Sequence, residues 1–307
     1  MKTKSNKIED IITYINNELK NKYPYNEIKA FVNILFKEYT GMNSAHLLAF
    51  GRDTINESSL LNIVLATEKL KKYVPVQYIL GHTEFCGLDI KLTPDVLIPR
   101  PETEELTQMI IEENKAEKLN ILDLCSGSGC IALSLCRFIK NSNVFAVDIS
   151  EKALQTAEEN NCRLGLNVRF ACMDLLTDEN LDLLFADNEL MTENSVNGSS
   201  KTNLKFDIIV SNPPYVMDKE KVMMSENVLN YEPPLALFVK DENPLIFYEK
   251  IAVIAEKYLK SGGKIYLEVN ENLANETVAL FSQKEYFAEI RKDIYAKNRF
   301  IFLQKKI

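Results

Sequence analysis

Asn212-Pro213-Pro214-Tyr215 is the stretch of this 307-residue chain whose residue types and order could do chemistry most directly. It follows an apolar run, Phe206-Asp207-Ile208-Ile209-Val210-Ser211, so it falls where a buried strand opens into a loop. Two consecutive prolines fix the backbone angle and remove two amide donors. The carbonyls at the turn are then free to accept hydrogen bonds from another molecule. An Asn side-chain oxygen and a Pro carbonyl aimed at one point would hold both hydrogens of an –NH2 group. The Tyr ring could lie against the flat group that carries it. The chemistry this suits is methylation of a planar amino or amide nitrogen. A plain Pro-rich turn after a core strand uses the same residues, so the weight of the motif depends on what else the chain holds.

A second signature stands about 90 residues upstream: Ile121-Leu122-Asp123-Leu124-Cys125-Ser126-Gly127-Ser128-Gly129. Gly127 and Gly129 permit a sharp strand-to-helix turn and close approach of a ligand to the backbone. Asp123, at the carboxyl end of its strand, could pair with a cationic amine. About 25 residues later, Val144-Phe145-Ala146-Val147-Asp148 ends a second strand in a carboxylate, which could accept both hydroxyls of a ribose. Asp174 closes a third strand, where an adenine would lie. A nicotinamide cofactor uses the same kind of turn, with its pyrophosphate on a helix N-terminus. An acid two residues before the turn is unfavourable beside a pyrophosphate but favourable beside the methionine amine of S-adenosyl-L-methionine. The methyl donor is therefore the better fit.

These residues need elements to hold them. Residues 1–75 read as all-helical, with apolar stripes at Ile8, Ile11, Ile12, Ile15 and Leu19, at Ile28, Phe31, Val32, Ile34, Leu35 and Phe36, and at Leu60, Leu61, Ile63, Val64, Leu65 and Leu70. Asn56, Ser58 and Ser59 are capping candidates. Such short striped helices must pack together as a small bundle. Residues 76–100 read as a hairpin and extended linker, with Pro99 and Pro101 keeping the chain extended and Glu102, Glu104 and Glu105 favouring a helix start. From 101 to 307 strands and helices alternate. Strands are predicted at 119–123, 143–147, 167–172, 206–210 and 264–269, and helices near 102–117, 130–140, 151–164, 244–260 and 272–283. This pattern predicts an α/β fold, a parallel sheet covered on both faces. The tail predicts an antiparallel edge pair at 286–294 and 299–304. The polar stretch 186–204 reads as an inserted surface loop.

Composition narrows the class. Hydrophobic content of 46% and charged content of 26% are those of an ordinary globular protein. No window approaches the ~20 apolar residues of a membrane span, and the polar N-terminus reads as no secretory signal, so a cytoplasmic location is expected. Six cysteines without a CxxC pair and only two histidines, His46 and His82, make a metal site unexpected; the cysteines read as reduced, mostly buried hydrophobes. The net charge of −8 argues against a broad phosphate-binding surface, so no direct nucleic-acid contact is expected. Residues 1–75 hold eleven Lys and Arg against eight Asp and Glu, which places a macromolecular partner, if any, on that part. The chain is read as a monomer.

Taken together, the motifs resemble the HemK/PrmC family, the N5-glutamine methyltransferases of peptide chain release factors. The resemblance runs through Pro75-Val76-Gln77-Tyr78-Ile79-Leu80-Gly81, Glu84-Phe85, Ile98-Pro99-Arg100-Pro101-Glu102-Thr103-Glu104, Asp123 to Ala132, Ser211 to Tyr215, Tyr231-Glu232-Pro233 and Ala236-Leu237. It implies a class I, Rossmann-like, seven-stranded S-adenosyl-L-methionine-dependent methyltransferase domain behind a helical domain that helps grip the release factor. The product would be S-adenosyl-L-homocysteine. It places the donor on Cys125, Ser126, Gly127, Ser128, Gly129, Asp148 and Asn212, with Asp174 and Leu175 lining the adenine side. It places the substrate glutamine on Asn212, Pro213, Pro214 and Tyr215, and gives Arg100 a part in positioning the site wall. Cys125 stands where the family often has Gly, Glu271 where it often has Gln, and the 186–204 stretch is longer than usual.

An amide nitrogen is a poor nucleophile, and no histidine is placed by motif as a base, so catalysis would rest on positioning. Three other readings share parts of the pattern. An adenine methyltransferase would use the same tetrapeptide on a flipped base, a ribosomal-protein glutamine methyltransferase shares it, and a pure binding module would have no need of the donor turn.

Overall fold

The computed structural model describes residues 3–115, 118–178, 180–184, 204–282 and 286–307. The polar stretch 186–204 lies outside the described residues, apart from Leu204. The chain divides into two compact units, Met1–Gly81 with Ser225–Tyr231, and His82–Met224 with Glu232–Ile307.

The first unit is helical: α1 (Ile8–Leu19), α2 (Tyr25–Thr40), α3 (Ser44–Ala49), α4 (Glu57–Leu70) and α5 (Val76–Leu80). The stripes predicted from spacing meet in its core, where Ile11, Ile15, Leu19, Leu35, Phe36, Ile63 and Leu70 are almost fully buried. Leu61 and Leu65, counted in the third stripe, are exposed instead, because they lie on the outer side of α4. The Asn56 side chain accepts from the Ser59 N–H at 2.8 Å and caps α4. A short helix from far down the chain, Glu226–Tyr231, belongs to this unit, where the Tyr231 hydroxyl donates to the Lys72 carbonyl at 2.7 Å. Nothing in the local sequence announces that return.

In the second unit a hairpin, β1 (His82–Phe85) with β2 (Leu88–Lys91), precedes α6 (Pro101–Glu113). Then follow β3 (Asn120–Leu124), α7 (Cys130–Phe138), β4 (Asn143–Asp148), α8 (Glu151–Leu164), β5 (Arg169–Cys172), α9 (Leu181–Leu184) and β6 (Phe206–Ser211). A two-residue pair, β7 (Val216–Met217) with β8 (Phe238–Val239), flanks the return segment, α10 (Glu226–Tyr231), already described. The chain closes with α11 (Ile246–Tyr258), β9 (Leu259–Glu268), α12 (Ala274–Ser282), β10 (Tyr286–Lys292) and β11 (Asn298–Lys305).

The seven-stranded sheet runs β10-β11-β9-β6-β3-β4-β5. Its β3, β4, β5, β6 and β9 are parallel, and β11 pairs antiparallel with β9 and β10. Leu122, Phe145, Ile209, Ile251 and Ile265 are buried in one continuous core, as strands covered by helices on both faces require. From the central β3 the chain goes to β4 on one side and β6 on the other. That reversal opens a crevice at the carboxyl ends of the strands, the place where open α/β sheets bind ligands.

Two cysteines depart from the expected burial. Cys162 and Cys172 are exposed, Cys162 on the solvent side of α8 and Cys172 at the end of the edge strand β5, while Cys130 is buried.

Candidate active site

The strand ends converge on one cleft. It is lined by Cys125 and Gly127 after β3, Asp148 after β4, Met173 to Leu176 after β5, and Asn212 and Pro214 after β6. Asp95 to Leu97, Pro233, Leu235, Ala236 and Phe247 complete its rim. Of the residues singled out from sequence, Cys125, Gly127, Asp148, Asp174, Leu175, Asn212 and Pro214 face this cleft. Asp123, Ser126, Ser128, Gly129, Pro213 and Tyr215 sit behind its lining.

The turn after β3 is shaped by backbone. Cys125, Gly127 and Gly129 all have positive φ, at 64°, 55° and 78°. A side chain at Gly127 would meet nothing within 4 Å, because that position opens toward the cleft. A Cβ at Gly129 would lie 3.0 Å from the Phe170 ring and 3.1 Å from Ala157, so this glycine is required by packing under α7. Asp148 accepts from the Gly127 N–H at 2.8 Å and from the Ser150 N–H at 2.9 Å, one on each oxygen. Each oxygen keeps a lone pair for a further donor. Burial pushes this carboxyl above its ordinary value, opposed by those two N–H groups.

Asp123 is fully buried, and its Oδ2 accepts from the Ala132 N–H at 3.2 Å. Its Oδ1 is a buried oxygen without a partner among the described residues. Burial holds its carboxyl well above the ordinary range. Burial, with the Asp148 and Asp123 charges nearby, likewise pushes the Cys125 thiol up and keeps it neutral.

The cleft fits a nucleoside methyl donor: an open backbone turn at Gly127, a carboxylate with spare lone pairs at Asp148, and apolar walls from Val147, Met173 and Leu175. Asp174 stands beside this wall, its Oδ1 accepting from the Leu176 N–H at 2.9 Å.

The other side of the cleft is held by long-range contacts. Ser211 Oγ donates to the Leu124 carbonyl at 2.7 Å and ties the ends of β6 and β3 together. Asn212 Nδ2 donates to Thr103 Oγ1 at 3.0 Å, and Thr103 donates to Glu268 Oε2 at 2.7 Å. The Tyr215 hydroxyl donates to Glu268 Oε1 at 2.9 Å. The ring of Tyr215 packs on the sheet core, with the Arg299 guanidinium 5.9 Å from its centroid. Glu268 is fully buried; burial raises its pKa, opposed by the hydroxyls of Thr103 and Tyr215 and by the charge of Arg299. Among the described residues, Asn212 Oδ1 and the Pro213 carbonyl accept no hydrogen bond.

Arg100, expected to position the wall, donates to Glu232 Oε1 at 2.7 Å, and the Ile98 N–H reaches Glu232 Oε2 at 3.3 Å. Glu232 is buried, so this pair fixes the extended segment against the Pro233–Ala236 rim. Thr103 and Glu232 lie in the motifs quoted above and Glu268 in the strand predicted at 264–269, but their pairing was not legible. Separate segments of sequence carry no signal of which hydrogen bonds join them.

A parallel sheet with a nucleoside cleft beyond its strand ends and a polar tetrapeptide across from it defines a methyltransferase, and a methyltransferase-domain model matches residues 115–302. A release factor glutamine methyltransferase of Bacteroides thetaiotaomicron is 38% identical over 296 residues, covering 95% of this chain and 98% of that protein. One from Flavobacterium psychrophilum is 39% identical, with 90% of this chain and 91% of that protein covered. One from Lactococcus lactis is 38% identical, with 85% and 88% covered. The chain belongs to the release factor glutamine methyltransferase family.

Proposed function

We propose that this protein transfers a methyl group from S-adenosyl-L-methionine to the side-chain amide nitrogen, N5, of the glutamine in the Gly-Gly-Gln motif of peptide chain release factors. The observation that carries the reading is Asn212 in the lining of the cleft that Asp148 also lines, with an Oδ1 that, like the neighbouring Pro213 carbonyl, accepts no hydrogen bond among the described residues. Family membership supplies the substrate class.

Cys125, Gly127, Asp148, Asp174, Leu175 and Asn212 would hold the donor, which supplies a methyl on a positively charged sulfur, already activated for displacement. The protein's part is to place the nitrogen. Asn212 Oδ1 and the Pro213 carbonyl accept the two amide hydrogens and favour a more tetrahedral nitrogen. Both bonds strengthen as positive charge develops there, so they stabilise the transition state more than the bound substrate. Tyr215 braces the turn through Glu268. Neither histidine lines the cleft, and the nitrogen needs alignment more than a base.

In this reading the substrate is a protein, the enzyme works as a monomer in the cytoplasm, and the helical unit helps grip the release factor. The overall negative charge supports a protein substrate over a nucleic acid. Among the described residues no helix is long and apolar enough to cross a membrane.

The test is peptide mass spectrometry of purified release factor after incubation with the protein and S-adenosyl-L-methionine, beside Asn212→Ala. A gain of one methyl on the Gly-Gly-Gln glutamine, lost in the variant, is the expected result. Donor binding without that gain would move the reading to ribosomal-protein or nucleic-acid substrates.

A further inference from the structure

The Asn212 amide can face the cleft with either its oxygen or its nitrogen, and only the oxygen can hold a substrate –NH2. We infer that Thr103 and Glu268 are positioning residues that fix this choice through a hydrogen-bond relay of one sense. The inference rests on the proposed role of Asn212 as an acceptor.

A threonine hydroxyl has one proton and two lone pairs, whereas a carboxylate has only acceptors. Glu268 accepts from two hydroxyls at once, Thr103 at 2.7 Å and Tyr215 at 2.9 Å. The Thr103 proton is therefore committed to Glu268, and toward Asn212 the hydroxyl offers a lone pair alone. The amide must turn its Nδ2 to Thr103, which it does at 3.0 Å, and its Oδ1 the other way. Thr103 is 3% exposed and Glu268 fully buried, so water has no room to substitute for either. Among the described residues the Thr103 hydroxyl bonds only to Glu268 and Asn212, while Thr107 donates to the Thr103 carbonyl. Nor does Glu268 serve the cleft directly, since it is absent from the lining. The backbone carbonyl of Glu268 is itself held by the Tyr248 hydroxyl at 3.0 Å, which anchors the far end of the relay in the core.

The relay also accounts for why Thr103 lies in the extended segment's helix start and not elsewhere. Pro101 begins α6, and the third residue of that helix points its side chain inward at the ends of β6 and β9. A relay of this kind costs the substrate nothing at the moment of reaction, because the acceptor is already aimed.

The test compares Thr103→Val, Thr103→Ser and Glu268→Leu with the wild type in three measurements. These are kcat and KM for methyl transfer to release factor, donor affinity by calorimetry, and hydrogen exchange of the Asn212 side-chain amide in 15N-labelled protein. Thr103→Val is expected to lower kcat roughly 10- to 100-fold, the range of a misaligned hydrogen bond at a reacting centre. Donor affinity should stay within threefold, and the Asn212 amide protons should exchange faster. Thr103→Ser should restore both kcat and protection. Glu268→Leu removes the acceptor that commits the Thr103 proton and should show the Val signature; it decides the matter if Thr103→Val does not fold. A Thr103→Val or Glu268→Leu protein with wild-type kcat and unchanged Asn212 exchange overturns the inference. So does a Ser variant as impaired as Val. If the wild type itself leaves the glutamine unmethylated, the functional reading fails, while the exchange measurement still judges the relay.

Discussion

On the donor side of the cleft the contacts are short in sequence: Asp148 reaches Gly127 across 21 residues and Ser150 across two. On the amide side they are long, with Asn212 109 residues from Thr103, Thr103 165 from Glu268, and Arg100 132 from Glu232. The donor side is a turn whose backbone makes the surface, so it needs small residues and positive φ at fixed spacing. The amide side is one loop whose side chain must point in a fixed direction, and direction is imposed by neighbours from α6, β9 and the segment after α10. In the proposed reading the donor is held by turns at three neighbouring strand ends, each shaped locally. Aiming an acceptor is a property of the assembled sheet.

That difference can be sharpened by damaging the long-range contacts. Arg100→Ala leaves Glu232 buried without its cation, and the expected loss is about 2 to 3 kcal/mol of unfolding free energy. The figure sits below that for a fully buried pair because the Arg100 side chain is 32% exposed. Urea denaturation gives the loss. A midpoint unchanged from the wild type would mean that the Pro233–Ala236 rim does not depend on the pair.

A smaller effect is expected behind the donor turn. Burial holds the Asp123 carboxyl well above its ordinary range. The unfolded chain therefore ionises more readily, and the resulting destabilisation is absent below the unfolded pKa, near 4, grows as pH rises from there and levels off above the folded value. Asp123→Asn should thus stabilise the donor-free protein at pH 8, with the gain vanishing toward pH 4. Because Asp123 stands outside the cleft lining, donor affinity should change less than threefold. A tenfold loss of affinity in calorimetry would instead place this carboxylate at the donor's amine, the role its position before the glycine turn first suggested.

The sequence made the donor side readable because its constraints fall within a few residues of one another. The glycine pair, the strand-ending Asp148 and the alternation of strands and helices all follow from local periodicity and backbone freedom. The antiparallel tail was readable for the same reason. The tetrapeptide at 212–215 pointed to the amide chemistry, but the partners of Asn212 and Tyr215 did not follow from it. Thr103 and Glu268 each sit in an ordinary element, one at a helix start and one at a strand end. Only the sheet order, with β9 beside β6, brings both to the loop. The return of Glu226–Tyr231 to the helical unit was hidden likewise, since it is decided by tertiary packing and leaves no mark on composition.

The most direct measurement pairs donor affinity with single-turnover methyl transfer to release factor in Asn212→Ala and Asp148→Ala. If the two sides divide the work as described, Asn212→Ala binds the donor within tenfold of the wild type and loses at least roughly 1000-fold in transfer rate. Asp148→Ala should lose roughly 100-fold in donor affinity yet transfer within about tenfold of the wild-type rate once saturated. Variants that lose the same quantity in the same proportion would contradict a cleft whose two sides act separately.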